Sequence, residues 1–132
     1  MKLLVAEEGT HAMREALDAT TELISSRLAY VEAHSAMARA RAGRRMSRSE
    51  YDRAQTAFER LWARMAVVAV DDWLVDRAAS LARTHVLRGY DAVHLAAAVA
   101  AAGPTAMPFA CFDEDLRSAA AREGLSPFPD EP

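Results

Sequence analysis

The segment Ala66-Val67-Val68-Ala69-Val70 is a continuous apolar run, rich in β-branched residues, set between two stretches of helical periodicity. A strand that is apolar on both faces fits a sheet covered by helices on both sides, so this run favours a parallel α/β arrangement over a helical bundle. Leu23-Ile24-Ser25 and Pro108–Phe112 repeat the pattern. Between these runs the helix signals are explicit. Thr10 can cap a helix through His11–Leu17, and Ala29–Ala42 carries Val31, Ala38 and Ala42 among its small or apolar positions. Ser47-Arg48-Ser49-Glu50 has the S-x-x-E form of a capping box and opens a helix to about Met65, with Ala54, Phe58, Leu61 and Met65 at 3–4 spacing. Asp71 or Asp72 can cap the next helix, whose Leu74, Ala78, Leu81 and Ala82 share one side before it stops near Arg88-Gly89. Asp91–Ala102 is an alanine-rich helix closed by Gly103-Pro104, and Glu114–Glu123 is a last helix ended by Gly124. Strands alternating with helices imply right-handed crossovers and a parallel sheet flanked by helices.

The 132 residues carry no repeat and no Pro/Gly-rich seam, which predicts one domain over 1–125 and a flexible tail over 126–132, where three prolines fall. A single cysteine excludes an internal disulfide and a Cys-built zinc module, and points to a reducing cytoplasm. The longest candidate span, Ala92–Gly103, is mostly alanine and contains His94, so no membrane crossing is expected. A net charge of −3 argues against a protein that coats nucleic-acid phosphates through overall charge, and leaves only local basic patches for that purpose.

In open α/β sheets the working site lies beyond the carboxyl ends of the strands. Asp113 and Asp115 directly follow Pro108–Phe112, Glu32 sits in the first turns of the helix after Leu23–Ser25, and Asp91 opens a helix after the Arg88-Gly89-Tyr90 break. Carboxylates gathered in one crevice repel one another unless a cation neutralises them, and oxygen donors without Cys or paired His favour Mg²⁺ or Mn²⁺. Such a centre suits phosphodiester hydrolysis, with the metal activating water and offsetting charge on the phosphate oxygens. An Asp at a helix start also serves as a plain N-cap, and a lone Glu32 fits a solvated helix face.

Three blocks, Ser25-Ser26-Arg27-Leu28-Ala29-Tyr30-Val31-Glu32-Ala33, Gly89-Tyr90-Asp91-Ala92-Val93-His94-Leu95-Ala96-Ala97-Ala98 and Ala110-Cys111-Phe112-Asp113-Glu114-Asp115-Leu116-Arg117-Ser118-Ala119-Ala120, resemble in order and spacing those of the PIN-domain ribonucleases, and most closely the VapC toxins of bacterial toxin–antitoxin pairs. The resemblance covers nearly the whole chain. It implies a PIN-like three-layer fold and Mg²⁺- or Mn²⁺-dependent endonucleolytic cleavage of RNA, restrained by a cognate antitoxin, in a homodimer. Glu32, Asp91 and Asp113 would be its catalytic and metal-binding carboxylates, with Asp115 a fourth metal ligand. The family fold also opens on a strand bearing a first catalytic Asp, and Met1–Gly9 looks like the end of the helix that follows it. The expectation is therefore a chain lacking that first strand, by roughly ten residues, binding metal poorly and cutting slowly if at all.

Other features have readings of their own. His94 stands three residues after Asp91, where it can form a ligand pair with it or simply pack in the core. Cys111 reads as an inert core thiol. Arg39, Arg41, Arg44, Arg45, Arg48 and Arg53 cluster around Gly43, opposed by Glu50 and Asp52, and can meet RNA phosphates, an acidic antitoxin, or solvent alone. Trp62 and Trp73, like Tyr30 and Tyr90, read as core or as contact surface. Two alternatives to the nuclease remain at this level: a non-catalytic module that binds an antitoxin, and a haloacid dehalogenase-like phosphatase built on Asp113-Glu114-Asp115. The second suffers because only 17 residues follow Asp115, whereas that motif belongs near the start of its domain.

Overall fold

The computed structural model describes Glu15, Asp18, Ala19 and residues 22–129, so most of the helix expected over His11–Leu17 lies outside the described residues. Among the described residues the elements run, in order, β1 (Leu23–Ser26), α1 (Leu28–Ala42), α2 (Arg48–Trp62), β2 (Met65–Val68), α3 (Asp72–His85), α4 (Gly89–Ala102), β3 (Pro108–Ala110), α5 (Glu114–Arg122) and β4 (Ser126–Phe128). Contacts divide the chain into two units, one containing Ala29–Ala66 and the other containing Ile24–Leu28 with the chain from Val67 onward.

In the first unit α1 and α2 form a helical hairpin around Ala33, Met37, Ala40, Met46, Ala54 and Phe58, with Tyr30, Tyr51 and Trp62 packed against them. The turn obeys helix-end rules. Arg45 N–H donates to Ala40 O at 2.9 Å and Arg44 N–H to Arg41 O at 3.0 Å, the two bonds of a Schellman motif, with Arg44 in the left-handed region at φ 56°. The capping box at Ser47 is formed as expected: Glu50 N–H donates to Ser47 Oγ at 3.3 Å, and Ser47 N–H donates to the Glu50 carboxylate at 2.7 Å. The Ser47 side-chain bond, and then its backbone bond, hold the Glu50 carboxyl below its ordinary value. A depressed folded value contributes stability above the unfolded carboxylate range and loses it as pH falls through the folded value. Ser47→Ala is expected to cost about 1 kcal/mol in urea unfolding at pH 7, and less in acid once pH has fallen through the lowered Glu50 value, where the protonated side chain no longer completes the box.

The second unit is built on α3, α4 and α5. Alanine explains α4: a helix apolar nearly all round must be buried, and small side chains let neighbouring helices approach closely. Ala92, Leu95, Ala96, Ala97 and Ala98 are buried, together with Leu74, Ala78 and Leu81 of α3 and Leu116, Ala119 and Ala120 of α5. Strands β3 and β4, joined through α5, run parallel with Phe109 opposite Pro127, a β-α-β unit that realises the parallel α/β expectation. Strand β1 pairs with β2, and within the second unit Arg27 N–H donates to Val68 O at 2.8 Å.

Two expectations need correction here. Val68 packs on the core, but Val67 and Val70 are 37% and 39% exposed, so this run is not buried on both faces. Along β2 the two end residues Met65 and Val68 are half-buried and the middle pair Ala66 and Val67 exposed, so a uniformly apolar run is covered only in part. In addition, Ser126–Phe128 opens the segment expected as a tail, yet it forms β4, with Ser126 N–H on Met107 O and Phe128 O accepting from Cys111 N–H.

Helix α3 ends on Val86 in the left-handed region at φ 55°, 89% exposed. A β-branched residue there is strained, and the open position gives its side chain no packing to offset the strain. Val86→Gly should raise unfolding stability by about 1 kcal/mol; a loss of stability in thermal or urea denaturation would show that Val86 makes contacts that this geometry lacks.

Candidate functional site

Both carboxylates nearest the expected site stand at helix starts in the second unit. Asp113 is the N-cap of α5, and its Oδ1 accepts from Leu116 N–H at 3.0 Å. That bond fixes the carboxylate and uses one of its two oxygens. Asp91 does not cap α4, contrary to the plain-cap reading. The helix begins at Gly89 with Arg88 in the cap position and no side-chain cap bond, which places Asp91 half-buried in the first turn, where the helix dipole favours negative charge.

Two groups report that these carboxylates share a neighbourhood. Arg88 is held above its ordinary value first by its hydrogen bond to Tyr90 Oη at 3.1 Å, then by Asp91 and Asp113 together. Burial pushes the Cys111 thiol up to about 11, while Arg117 pulls against this and Asp113 and Asp91 add to it. Arg117 also donates through Nη1 to Cys111 O at 3.1 Å. Asp91 in the first turn of α4 and Asp113 at the cap of α5, after β3, thus both act on the Arg88 guanidinium. Arg88 is the residue that sequence reasoning missed: it was read only as the stop of a helix, although a cation just before an acidic helix start was visible there.

The remaining candidates separate. Asp115 is exposed in the first turn of α5. Glu32 stands half-buried on α1 and belongs to the first unit. His94 Nδ1 shares a 2.8 Å hydrogen bond with Ser26 Oγ, whose residue is buried, which favours the packed reading of His94. Cys111 is a buried free thiol, as expected. Tyr30 packs in the first-unit core and donates to Glu59 Oε1 at 2.9 Å, whereas Trp73 is 62% exposed. An unforeseen pair joins His85 Nε2 and Glu123 Oε1 at 2.8 Å. Among the described residues no group of three His, Cys, Asp or Glu side chains is arranged to hold a metal ion, and no described helix is long and apolar enough to cross a membrane. Asp91 and Asp113 nonetheless offer hard oxygen donors of the kind that hold Mg²⁺ through one or two carboxylates, with water and substrate phosphate completing the shell.

The PIN domain family matches residues 1–122, which carry both carboxylates. The chain belongs to the PIN domain family. It is similar to two curated PIN relatives, ribonuclease VapC45 of Mycobacterium tuberculosis (strain CDC 1551 / Oshkosh) and ribonuclease VapC49 of Mycobacterium tuberculosis (strain ATCC 25618 / H37Rv). Each is 36% identical over 124 residues, covering 94% of this chain and 85% of the relative. PIN membership across this length displaces the phosphatase alternative for Asp113-Glu114-Asp115, and the α/β order from β1 to β4 is the PIN-like order expected.

Proposed function

We propose that this PIN-domain chain is a divalent-metal-dependent endoribonuclease, the toxin of a toxin–antitoxin pair, in which Asp91 and Asp113 hold Mg²⁺ or Mn²⁺. The observation that supports the reading is that both carboxylates, in the first turn of α4 and at the cap of α5, act electrostatically on the same two groups, Arg88 and Cys111. A cation bound there would lower the pKa of a water and offset charge developing on the phosphate oxygens. The chain's own groups do the rest. The Leu116 N–H bond fixes the Asp113 carboxylate, the first turn of α4 carries Asp91, and Arg88 offers a planar donor set for a phosphate oxygen. Glu32 enters as a third catalytic carboxylate by resemblance, and Asp115 as a further ligand on the same ground. The ribonuclease names of the VapC relatives support RNA as the substrate; an antitoxin partner, a homodimer and a cytoplasmic setting enter by resemblance to the toxin family.

End-labelled RNA incubated with the full chain tests the reading. Cleavage with Mg²⁺ or Mn²⁺, and none with excess EDTA, is the expected result. Cleavage indifferent to EDTA contradicts the metal, and a folded chain that binds an antitoxin yet cuts nothing in either ion supports the non-catalytic module instead.

A further inference from the structure

We infer that the tip of the α1–α2 hairpin, with the exposed face of α2 that continues it, is a docking surface for the phosphate backbone of single-stranded RNA. The inference rests on the ribonuclease reading and adds to it a binding surface carried by the first unit.

Residues 39–53 hold six arginines against two carboxylates, a net +4 in a chain whose total is −3. Both carboxylates are engaged within α2: Glu50 turns back onto Ser47 N–H at 2.7 Å, and Asp52 pairs with Arg48 at 3.9 Å. Among the described residues no carboxylate lies within ion-pair distance of Arg41, Arg44, Arg45, Arg53 or Arg60. Arg41 is steadied over the Tyr51 ring, its guanidinium carbon 5.2 Å from the ring centre. Arg53, Thr56, Ala57 and Arg60 follow one another at 3–4 spacing along one helix face and, with Asp52, line a shallow open groove. Two turns separate its terminal arginines, about 10.5 Å along the axis, with small side chains between them.

The chemistry distinguishes a nucleic acid from an acidic protein. Protein interfaces have an apolar centre, whereas nucleic-acid surfaces are polar and strongly positive. The exposed large hydrophobic side chains of the described residues are Val31, Val67, Val70, Trp73, Val75, Val86 and Tyr90, none of them between residues 39 and 64. Within the patch Met46 is buried and Tyr51 is half-buried beneath Arg41. What remains exposed is guanidinium and hydroxyl, a donor set matched to phosphate oxygens, outnumbering the exposed carboxylates of Glu50 and Asp52.

The test is fluorescence anisotropy of a labelled 20-nucleotide unstructured RNA with the full chain in EDTA, from 50 to 200 mM salt, which separates binding from cutting. Arg45→Gln/Arg53→Gln should bind roughly tenfold more weakly at low salt and lower the salt slope by about 1.4, two phosphate contacts at ~0.7 each, while Arg45→Lys/Arg53→Lys keeps most of the slope. Both positions are exposed, and circular dichroism should show an unchanged fold. Equal binding by the Gln variant overturns the inference, and leaves the ribonuclease reading standing if the wild type still cuts RNA in Mg²⁺. Displacement of RNA by polyglutamate of matched length at equal concentration overturns it in favour of an acidic protein partner. Absence of both binding and cutting by the wild type overturns the two readings together.

Discussion

Asp91→Asn is expected to lower metal-dependent RNA cleavage by at least about a hundredfold, the scale on which charge-stabilising groups act in active sites. The substitution is nearly isosteric and lies in the first turn of α4, two residues after the start of the helix at Gly89. The loss of negative charge near the helix dipole costs about 0.5 kcal/mol. Cleavage and urea denaturation on the same preparation separate the effects: activity falls while the unfolding midpoint barely moves. Asp113→Asn should resemble it in activity, since an amide oxygen can still accept from Leu116 N–H. Near-wild-type cleavage by Asp91→Asn would remove that carboxylate from the reaction.

The largest stability effect should come from Leu95→Ala. Leu95 is 0% exposed at the centre of α4 and belongs to the cluster formed with Leu74, Ala78 and Leu81 of α3 and Leu116, Ala119 and Ala120 of α5. Its neighbours are mostly alanines, which have no longer rotamers with which to fill the space vacated. Collapse is therefore poor, and the cost is about 3 kcal/mol in urea unfolding, or roughly 10 °C in melting temperature. Val75→Ala, on the same unit but 47% exposed, should cost less than about 0.5 kcal/mol. Similar losses at the two positions would mean that α4 is not the packed centre of this unit.

Features governed by local rules were legible in the sequence. The capping box at Ser47 and Glu50, the Asp71 cap with its 2.9 Å bond from Leu74 N–H, and the buried pair Ala54 and Phe58 each follow from residues within one or two turns of one another. The misread strands involve distant partners. Val67 looked buried because its run is uniformly apolar, but whether a helix covers its second face is decided elsewhere in the chain. Ser126–Phe128 falls in a segment read as a tail for its three prolines, and Pro127 lacks an N–H. Parallel pairing with β3 uses Ser126 N–H and Phe128 O, so the missing donor is not required. At the site, Asp91 and Asp113 were visible as acids after a chain break and after a strand. Their convergence on Arg88 was not, because it depends on how α4 and α5 start beside each other.

The account stands on two carboxylates from distant stretches of chain sharing a divalent ion, and Mn²⁺ titration by calorimetry of the full chain measures this directly. Uptake of Mn²⁺ by the wild type that Asp91→Asn and Asp113→Asn each greatly weaken is the predicted result. No uptake by the wild type, or uptake that both substitutions leave unchanged, would contradict it.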